Sequence, residues 1–292
     1  MAALPANLVR NIRSREARLE FVSNPGLLSW IALSAHDQKI ALALERLLPA
    51  VEAILNGARG EASEELNKAR AAEYAALFKP EKLSPSNNEI PLDICCALLR
   101  SFCLQPSDRF MDLGSARGRL VFAAAASTHC AACGGVELSP SDHAAAIEAR
   151  TRFAAADSGF AGCADRLPQF YCCDLRAAPL REYNVFYCAI RGDASRPRVV
   201  AELVQRMVEA PLPEGARPPR RLILAGFGID LEGKEYQARV KLVRVYALQA
   251  AFTDEAETLH QAPDSPVPSE MEPMAMYGDS QGPRFLLEYH IL

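Results

Sequence analysis

The chain has 292 residues, half of them hydrophobic, and a formal net charge of −4 at pH 7. Its length and apolar content are sufficient for a large buried core, which excludes an intrinsically disordered protein. It contains no uncharged apolar run of the roughly 18 residues that a membrane-spanning helix needs, and its first residues lack the apolar core of a secretory signal. We therefore expect an intracellular protein. Its negative net charge does not indicate general binding to nucleic acid.

Residues 1–79 predict a helical amino-terminal domain, because apolar residues recur there at intervals of three and four. Pro25 indicates the first turn of one helix, and Trp30 is the expected core anchor of that helix. Three arginines among the first fifteen residues are typical of a mitochondrial transit segment and also of a solvated helix face, so both interpretations stay open. The domain contains no catalytic constellation, and we expect it to serve in packing or partner binding.

A polar link over residues 80–91, interrupted by prolines, begins the second predicted domain, which extends to residue 292. A helix is expected after it, from Leu92 to Phe102. Links of this kind lie near the ligand-binding edge of nucleotide-binding folds, so this one is a candidate cover for a ligand. Glu89 is its candidate contact residue.

The most informative stretch, Phe-Met-Asp-Leu-Gly-Ser-Ala-Arg-Gly, follows that helix. An apolar run ending at Asp112, a loop with Gly114 and Gly118, and an alanine-rich run predict a strand, a tight turn and a helix. Glycine lets the backbone turn sharply and approach a ligand, which the free N–H groups at the helix start then face. Glu137 ends the next apolar run, where such units place an acid on the ribose hydroxyls of an adenosine. Because Ala116 replaces a common glycine, an ordinary turn without a ligand is the alternative.

Strands and helices alternate after Glu137, which predicts an α/β fold with a doubly wound, Rossmann-like parallel sheet. The expected elements are a helix capped by Ser139–Ser141, strands over Phe170–Asp174, Glu182–Ile190 and Arg221–Gly226, and a helix from Ser195 to Glu209. Asp112, Glu137 and Asp174 then end neighbouring strands, so their carboxylates are expected at one edge of the sheet. Together with the glycine turn they predict a ligand that contains adenosine.

The carboxyl-terminal part predicts two long strands, Arg239–Phe252 and Arg284–Leu292, which no helix separates. Such strands pair antiparallel at the edge of a sheet. Five parallel strands with a C-terminal antiparallel hairpin are the seven-strand arrangement of methyltransferases that use S-adenosyl-L-methionine (SAM). Between the two strands, residues 254–283 contain seven acidic residues, five prolines and no lysine or arginine, which predicts a flexible acidic loop.

The nine cysteines are expected to be reduced thiols, because most of them lie in apolar runs where cysteine acts as a small hydrophobic residue. Cys130 and Cys133 have the spacing of half a zinc site or of a redox pair. Zinc needs four ligands, and no second pair follows at a suitable distance. We therefore predict no metal, with the zinc half-site and the redox pair as alternatives.

In a SAM-dependent methyltransferase the cofactor carries the reactive methyl group, and the protein binds and orients it. We assign Asp112 to the methionine amino group, Glu137 to the ribose hydroxyls and Asp174 to the adenine amino group. Gly114 and Gly118 make room for the cofactor. For each acid, a helix cap or a solvated strand end is the alternative interpretation.

From residue 80 to residue 292 the sequence resembles the non-SET histone-lysine methyltransferases, a class I family with the seven-strand fold. The residues that carry the resemblance are Phe110–Ser115, Gly135–Glu137, and Glu89 with Asp93. By this resemblance Ser115 belongs to the cofactor-binding loop and Glu89 contacts the methionine part of SAM. The resemblance implies a basic protein substrate methylated on lysine and a nuclear location. A similar group of small mitochondrial lysine methyltransferases implies a mitochondrial one.

The segment after the fourth predicted strand lacks the paired asparagines of that family, and Tyr187 and Asp193 are the candidate wall and polar anchor for a lysine amine. A degenerate methyltransferase fold would show the same loss, so a binding or assembly factor, for example in a ribonucleoprotein or mitochondrial complex, is the second hypothesis. RNA methylation is the third and would need a set such as Lys82, Asp193, Lys234 and Glu288. Otherwise nucleic acid is expected only through a larger complex, and no membrane partner is expected.

Overall fold

The computed structural model describes residues 28–32, 72–73, 76, 95, 98–99, 102–128, 130–155, 167–189, 196–216, 218–225, 238–249, 277–278, 282–283 and 285–292. Several sequence predictions lie outside these residues, namely those on the link over residues 80–91 with Glu89, on Asp193, and on most of the acidic loop. The boundary between the two domains likewise stays a prediction.

The described residues form one eight-stranded sheet, a separate pair of two-residue strands and three α-helices with complete bounds. Further helical residues are described at 72–73, 76, 95, 98–99 and 238–239. The elements are β1 (Leu28–Ala32), β2 (Arg109–Leu113), α1 (Arg119–Ser127), β3 (Ala132–Glu137), α2 (Pro140–Ala155), β4 (Gln169–Cys172), β5 (Val185–Cys188), α3 (Arg196–Glu209), β6 (Arg220–Ala225), β7 (Val240–Gln249), β8 (Tyr277–Gly278), β9 (Gly282–Pro283) and β10 (Phe285–Ile291). Two short 3-10 helices, Leu175–Ala177 and Leu180–Glu182, lie between β4 and β5.

The strand order across the sheet is β1-β7-β10-β6-β5-β2-β3-β4. Strands β2 to β6 are parallel, and β10 lies antiparallel between β6 and β7. The strands from β7 to β4 therefore form the predicted seven-strand methyltransferase sheet, including its antiparallel terminal pair. Leu113 pairs with Val136 and Glu137 pairs with Cys172, so β2, β3 and β4 end together at what we call the carboxyl edge.

Strand β1 corrects the prediction that the amino-terminal region is wholly helical. The segment around Trp30 is a strand, paired in parallel with β7 over Leu28–Ala32, and not the helix that Pro25 indicated. The aromatic Trp30 and the β-branched Ile31 favour extended structure, and pairing satisfies backbone groups on the outer side of β7. Glu73 is helical, in agreement with the helical structure predicted for residues 1–79.

Apolar side chains cover both faces of the sheet. Successive residues of β5 belong to different clusters, Phe186 to one and Tyr187 to the other, as expected for a strand whose side chains alternate between faces. Helix α3 packs on the first face through Leu203, and α1 packs on the second through Phe122. The central strands are therefore buried on both faces and hold the carboxyl edge in a fixed position.

A polar network joins the strands at the opposite, amino edge. Arg221 Nε donates to Glu288 Oε1 at 2.6 Å, and Asn184 Nδ2 donates to Asp108 Oδ1 at 3.0 Å. Arg221 also lies 3.9 Å from Asp108, so β2, β5, β6 and β10 are tied together there. Glu288 is only 3% exposed and belongs to this network, which removes it from the set considered for RNA methylation.

Candidate functional site

The loop between β2 and α1, residues 114–118, is called here the glycine loop. Gly114 has a φ of 90° and Gly118 a φ of 84°, and Ala116 has a φ of 46°. A left-handed conformation costs an alanine about 1 kcal/mol, because its Cβ approaches the following carbonyl. Ala116 thus adopts a backbone conformation that favours glycine, the residue that is common at this place in such loops.

Hydrogen bonds fix the glycine loop on the neighbouring strand and helix. The N–H groups of Gly114 and Ser115 both donate to the carbonyl of Val136, each at 2.9 Å. Arg117 Nε lies 3.4 Å from Asp142 Oδ1 in α2, and the Asp142 side chain is 1% exposed. The loop is therefore positioned by both β3 and α2, as a preformed binding loop requires.

Glu137 joins the glycine loop to the turn after β3. Its Oε2 accepts a hydrogen bond from the N–H of Ala116 at 2.8 Å, and its Oε1 accepts one from the N–H of Ser139 at 2.8 Å. Burial raises the pKa of this carboxyl, an effect that the backbone hydrogen bonds oppose. Each carboxylate oxygen can accept more than one hydrogen bond, so Glu137 retains capacity for a ligand hydroxyl.

Asp112 lies beside Glu137 and is 6% exposed. Burial, reinforced by the negative charge of Glu137, raises the pKa of Asp112 to about 8. Among the described residues, no hydrogen bond or cation opposes these two effects. A positively charged ligand group at this position would relieve the unfavourable energy of the ionised carboxylate.

The glycines of this region have different neighbours. A Cβ on Gly118 would lie 2.5 Å from the Phe170 ring, and a Cβ on Gly135 would lie 2.5 Å from Ser115 Oγ. A Cβ on Gly114 would have no atom of the described residues within 4 Å. Gly114 thus borders open space, while Gly118 and Gly135 make room beneath the loop. The Ser115 side chain lies against Gly135 of β3 and is 5% exposed. The sequence did not predict that Phe170 packs beside Gly118 and Gly135. The two adjacent glycines of β3 could have indicated a close contact at this place.

Asp174 lies beyond β4 at the carboxyl edge, but its carboxylate is bound by Arg176. It accepts from the Arg176 N–H at 2.8 Å and pairs with Arg176 Nη2 at 2.6 Å. These interactions lower the pKa of Asp174. The N–H of Cys173 donates to the Glu137 carbonyl at 3.1 Å, which places the chain before Asp174 next to Glu137. The structure thus brings Asp112 and Glu137 together and turns Asp174 onto its own helical turn.

Tyr187, the predicted wall residue, is 1% exposed within β5. Its ring centroid lies 5.7 Å from that of Phe102, inside the cluster that also contains Phe122. This position corresponds to core packing and not to the wall of an open channel. The predicted polar anchor, Asp193, and the predicted methionine contact, Glu89, lie outside the described residues.

Cys130 and Cys133 are adjacent at the start of β3, with their Sγ atoms 3.2 Å apart. The described residues contain no group of three or more histidine, cysteine or acidic side chains placed to hold a metal ion. No helix in the described part of the chain has the length and apolar character to cross a membrane.

A family model described as "Histone methylation protein DOT1" matches residues 86–161, about a quarter of the chain. This match includes the glycine loop and Glu137. No curated protein matches the sequence. The match and the strand order confirm the predicted resemblance to histone methyltransferases, and the chain has a class I, SAM-dependent methyltransferase domain.

Solved structures of methyltransferases resemble the chain more distantly. An RNA methyltransferase from Salinibacter ruber, in complex with S-adenosyl-L-homocysteine (SAH), has 26% identity and a TM-score of 0.35, and the match covers 48% of this chain and 78% of that one. TrmN from Thermus thermophilus has 12% identity and a TM-score of 0.43, over 69% of this chain and 49% of that one. Magnesium protoporphyrin IX methyltransferase from Synechocystis PCC 6803, with bound SAM, has 12% identity and a TM-score of 0.39, and the match covers 76% of this chain and 91% of that one. Similarity this low supports no inference about substrate.

Proposed function

We propose that this protein binds SAM over the glycine loop and transfers its methyl group to lysine side chains of a basic protein. The observation that carries the proposal is the link between the glycine loop and Glu137, through the hydrogen bond from the Ala116 N–H. This link joins the two parts of an adenosine site, a tight turn and an acid at the end of the next strand. The match to the histone methylation family covers both parts.

Several features of the described residues support SAM as the ligand. The open side of Gly114 leaves room for the ligand, and the buried Asp112 carboxylate complements a cationic ammonium group. The two carboxylate oxygens of Glu137 accept hydrogen bonds from the N–H groups of Ala116 and Ser139. Each oxygen can accept a further hydrogen bond, which leaves capacity for the ribose hydroxyls. Gly118 keeps the helix start close to Phe170 beneath the loop. Glu89 is a further proposed contact to the methionine part, as the family resemblance implies.

When bound, SAM supplies a methyl group on a positively charged sulfur, ready for transfer to a nucleophile. The protein's part is to hold that group in line with the acceptor and to exclude water. The acceptor amine has to be neutral to attack, and Asp193 is the proposed anchor for it. Because Tyr187 lies in the core, we do not assign it a contact with substrate.

The proposed substrate is a basic protein, and two features support this choice. The matching family acts, by its description, in histone methylation. In addition, residues 254–283 contain seven acidic residues and no lysine or arginine, a composition that attracts basic partners. A nuclear location follows for a histone substrate, and a mitochondrial location is the alternative.

Two measurements test the proposal. Calorimetric titration of the full chain with SAM and with SAH is expected to give dissociation constants in the micromolar range, about −8 kcal/mol. Transfer of a radiolabelled methyl group is then compared across histones, a mitochondrial extract and RNA, with label expected on lysine of a protein. Absence of binding would indicate an assembly factor, and label in RNA alone would refute the proposed acceptor.

Gly114→Ala is expected to weaken SAM binding by about tenfold or more, since the methyl group would fill the open side of the loop and strain the backbone. Gly215→Ala is a matched control, because Gly215 also has a positive φ, of 74°, and open surroundings. Both substitutions are expected to lower the free energy of unfolding by about 1 kcal/mol. Calorimetry and urea unfolding of both variants check this, and equal affinities would argue against a ligand beside Gly114.

A further inference from the structure

A carboxylate from the amino-terminal region contacts the carboxyl edge of the sheet. Glu73 Oε1 accepts a hydrogen bond from Ser139 Oγ at 2.8 Å and another from the Ser141 N–H at 3.1 Å. Glu73 lies in a helical segment more than sixty residues before these serines. The contact is therefore tertiary and joins the region before residue 80 to the start of α2.

Ser139 is held by two carboxylates. Its N–H donates to Glu137 and its hydroxyl donates to Glu73, and the residue is 0% exposed. Ser139 Oγ also accepts from the Asp142 N–H at 3.2 Å, as a helix cap does. The position of Glu137 relative to α2 thus depends on a serine that Glu73 fixes from the other side.

Glu73 and Glu137 both accept hydrogen bonds from Ser139. Both charges contribute to raising the pKa of the Cys172 thiol at the end of β4, after the larger effect of burial. The two hydrogen bonds that Glu73 accepts from Ser139 and Ser141 are strong because the acceptor is charged.

We infer that Glu73 is a positioning residue for the adenosine end of the cofactor site, through which the amino-terminal region sets the affinity for SAM. Glu73 holds the backbone turn at Ser139. Through its hydrogen bond to Glu137, this turn holds the Glu137 carboxylate in the orientation that binds the ribose hydroxyls. This inference rests on the proposed binding of SAM. It assigns a role in cofactor binding to a region in which sequence analysis expected only packing or partner contacts.

Calorimetry with SAM and SAH on Glu73→Ala and Glu73→Gln tests the inference, with Glu148→Ala as a control. Glu148 is an exposed residue of α2 whose side chain pairs with Arg152. Glu73→Ala is expected to weaken binding of both ligands by about tenfold, since two charge-assisted hydrogen bonds are lost. Glu73→Gln retains an acceptor oxygen for Ser139 and Ser141, and its affinities are expected to stay within about threefold of the wild type.

If Glu73 acts only as a helix cap, Glu73→Ala would have a lower melting temperature than the wild type. Its dissociation constants, measured well below that temperature, would then equal those of Glu148→Ala. That result would overturn the inference. Weaker binding of SAM but not of SAH in Glu73→Gln would also overturn it, because the charge would then act on the cationic ligand directly. If the wild type binds neither ligand, the proposed function itself fails, so the two failures are distinguishable.

Discussion

Glu137→Ala is expected to abolish detectable SAM binding. The substitution removes the proposed ribose acceptor and also the two hydrogen bonds that fix the loop at Ala116 and the turn at Ser139. Hydrogen bonds to a charged group contribute about 1.5–3 kcal/mol each, so a loss of affinity greater than about 100-fold is expected. Isothermal calorimetry measures the affinity, and circular dichroism shows whether the variant is folded.

Glu137→Gln is the size-matched companion to this substitution. Both Glu137 oxygens accept backbone N–H groups, whereas a glutamine side chain would direct its NH2 group at one of those donors. We therefore expect Glu137→Gln to bind SAM nearly as poorly as Glu137→Ala, while Glu148→Gln on the exposed side of α2 binds as the wild type does. Retained affinity in either Glu137 variant would refute the assignment of Glu137 to the ribose.

Asp112 is expected to make both stability and SAM binding depend on pH. Its pKa is 3.8 in the unfolded chain and about 8 in the folded protein, so between these values the folded state binds the additional proton. The contribution of Asp112 to the free energy of unfolding therefore falls as pH rises from about 4 to about 8, and the loss is complete above the folded pKa. Asp112→Asn removes this ionisation and is expected to be more stable than the wild type at about pH 8.

Ionisation of Asp112 has the opposite effect on the proposed binding of SAM, because it is expected to raise the affinity. In the proposed complex the ammonium group of SAM pairs with the ionised form of Asp112, so the association constant of the wild type is expected to rise by up to about tenfold per pH unit towards pH 8. Asp112→Asn is expected to bind SAM more weakly at about pH 8 and to lack this rise. Asp174 does not contribute in this range, because its pKa is already lowered by Arg176. An identical pH dependence in both proteins would show that Asp112 does not contact the ligand.

The sequence was sufficient to predict the sheet and the glycine loop, because both depend on local patterns. Alternating strands and helices predicted the parallel strands, and the two long terminal strands predicted the antiparallel pairing of β10 with β7. The conformation of Gly114 and Gly118 followed from residue type, since a positive φ is accessible to glycine.

The remaining features depend on contacts that residue spacing does not encode. Trp30 belongs to a strand because β7 offers an edge more than two hundred residues later in the chain. Glu73 reaches Ser139 only in the folded protein. The hydrogen bond from the Arg176 N–H to Asp174 is local and is that of a cap, the alternative interpretation that the sequence left open for this acid.

Strand β1 has a consequence for how the catalytic region can be isolated. It covers the outer side of β7, whose backbone would otherwise present a row of unpaired donors and acceptors to solvent. A shortened protein that starts at residue 80 would keep every strand of the methyltransferase sheet and still expose this row. We expect copies of such a fragment to associate through their β7 strands, which β1 covers in the full chain.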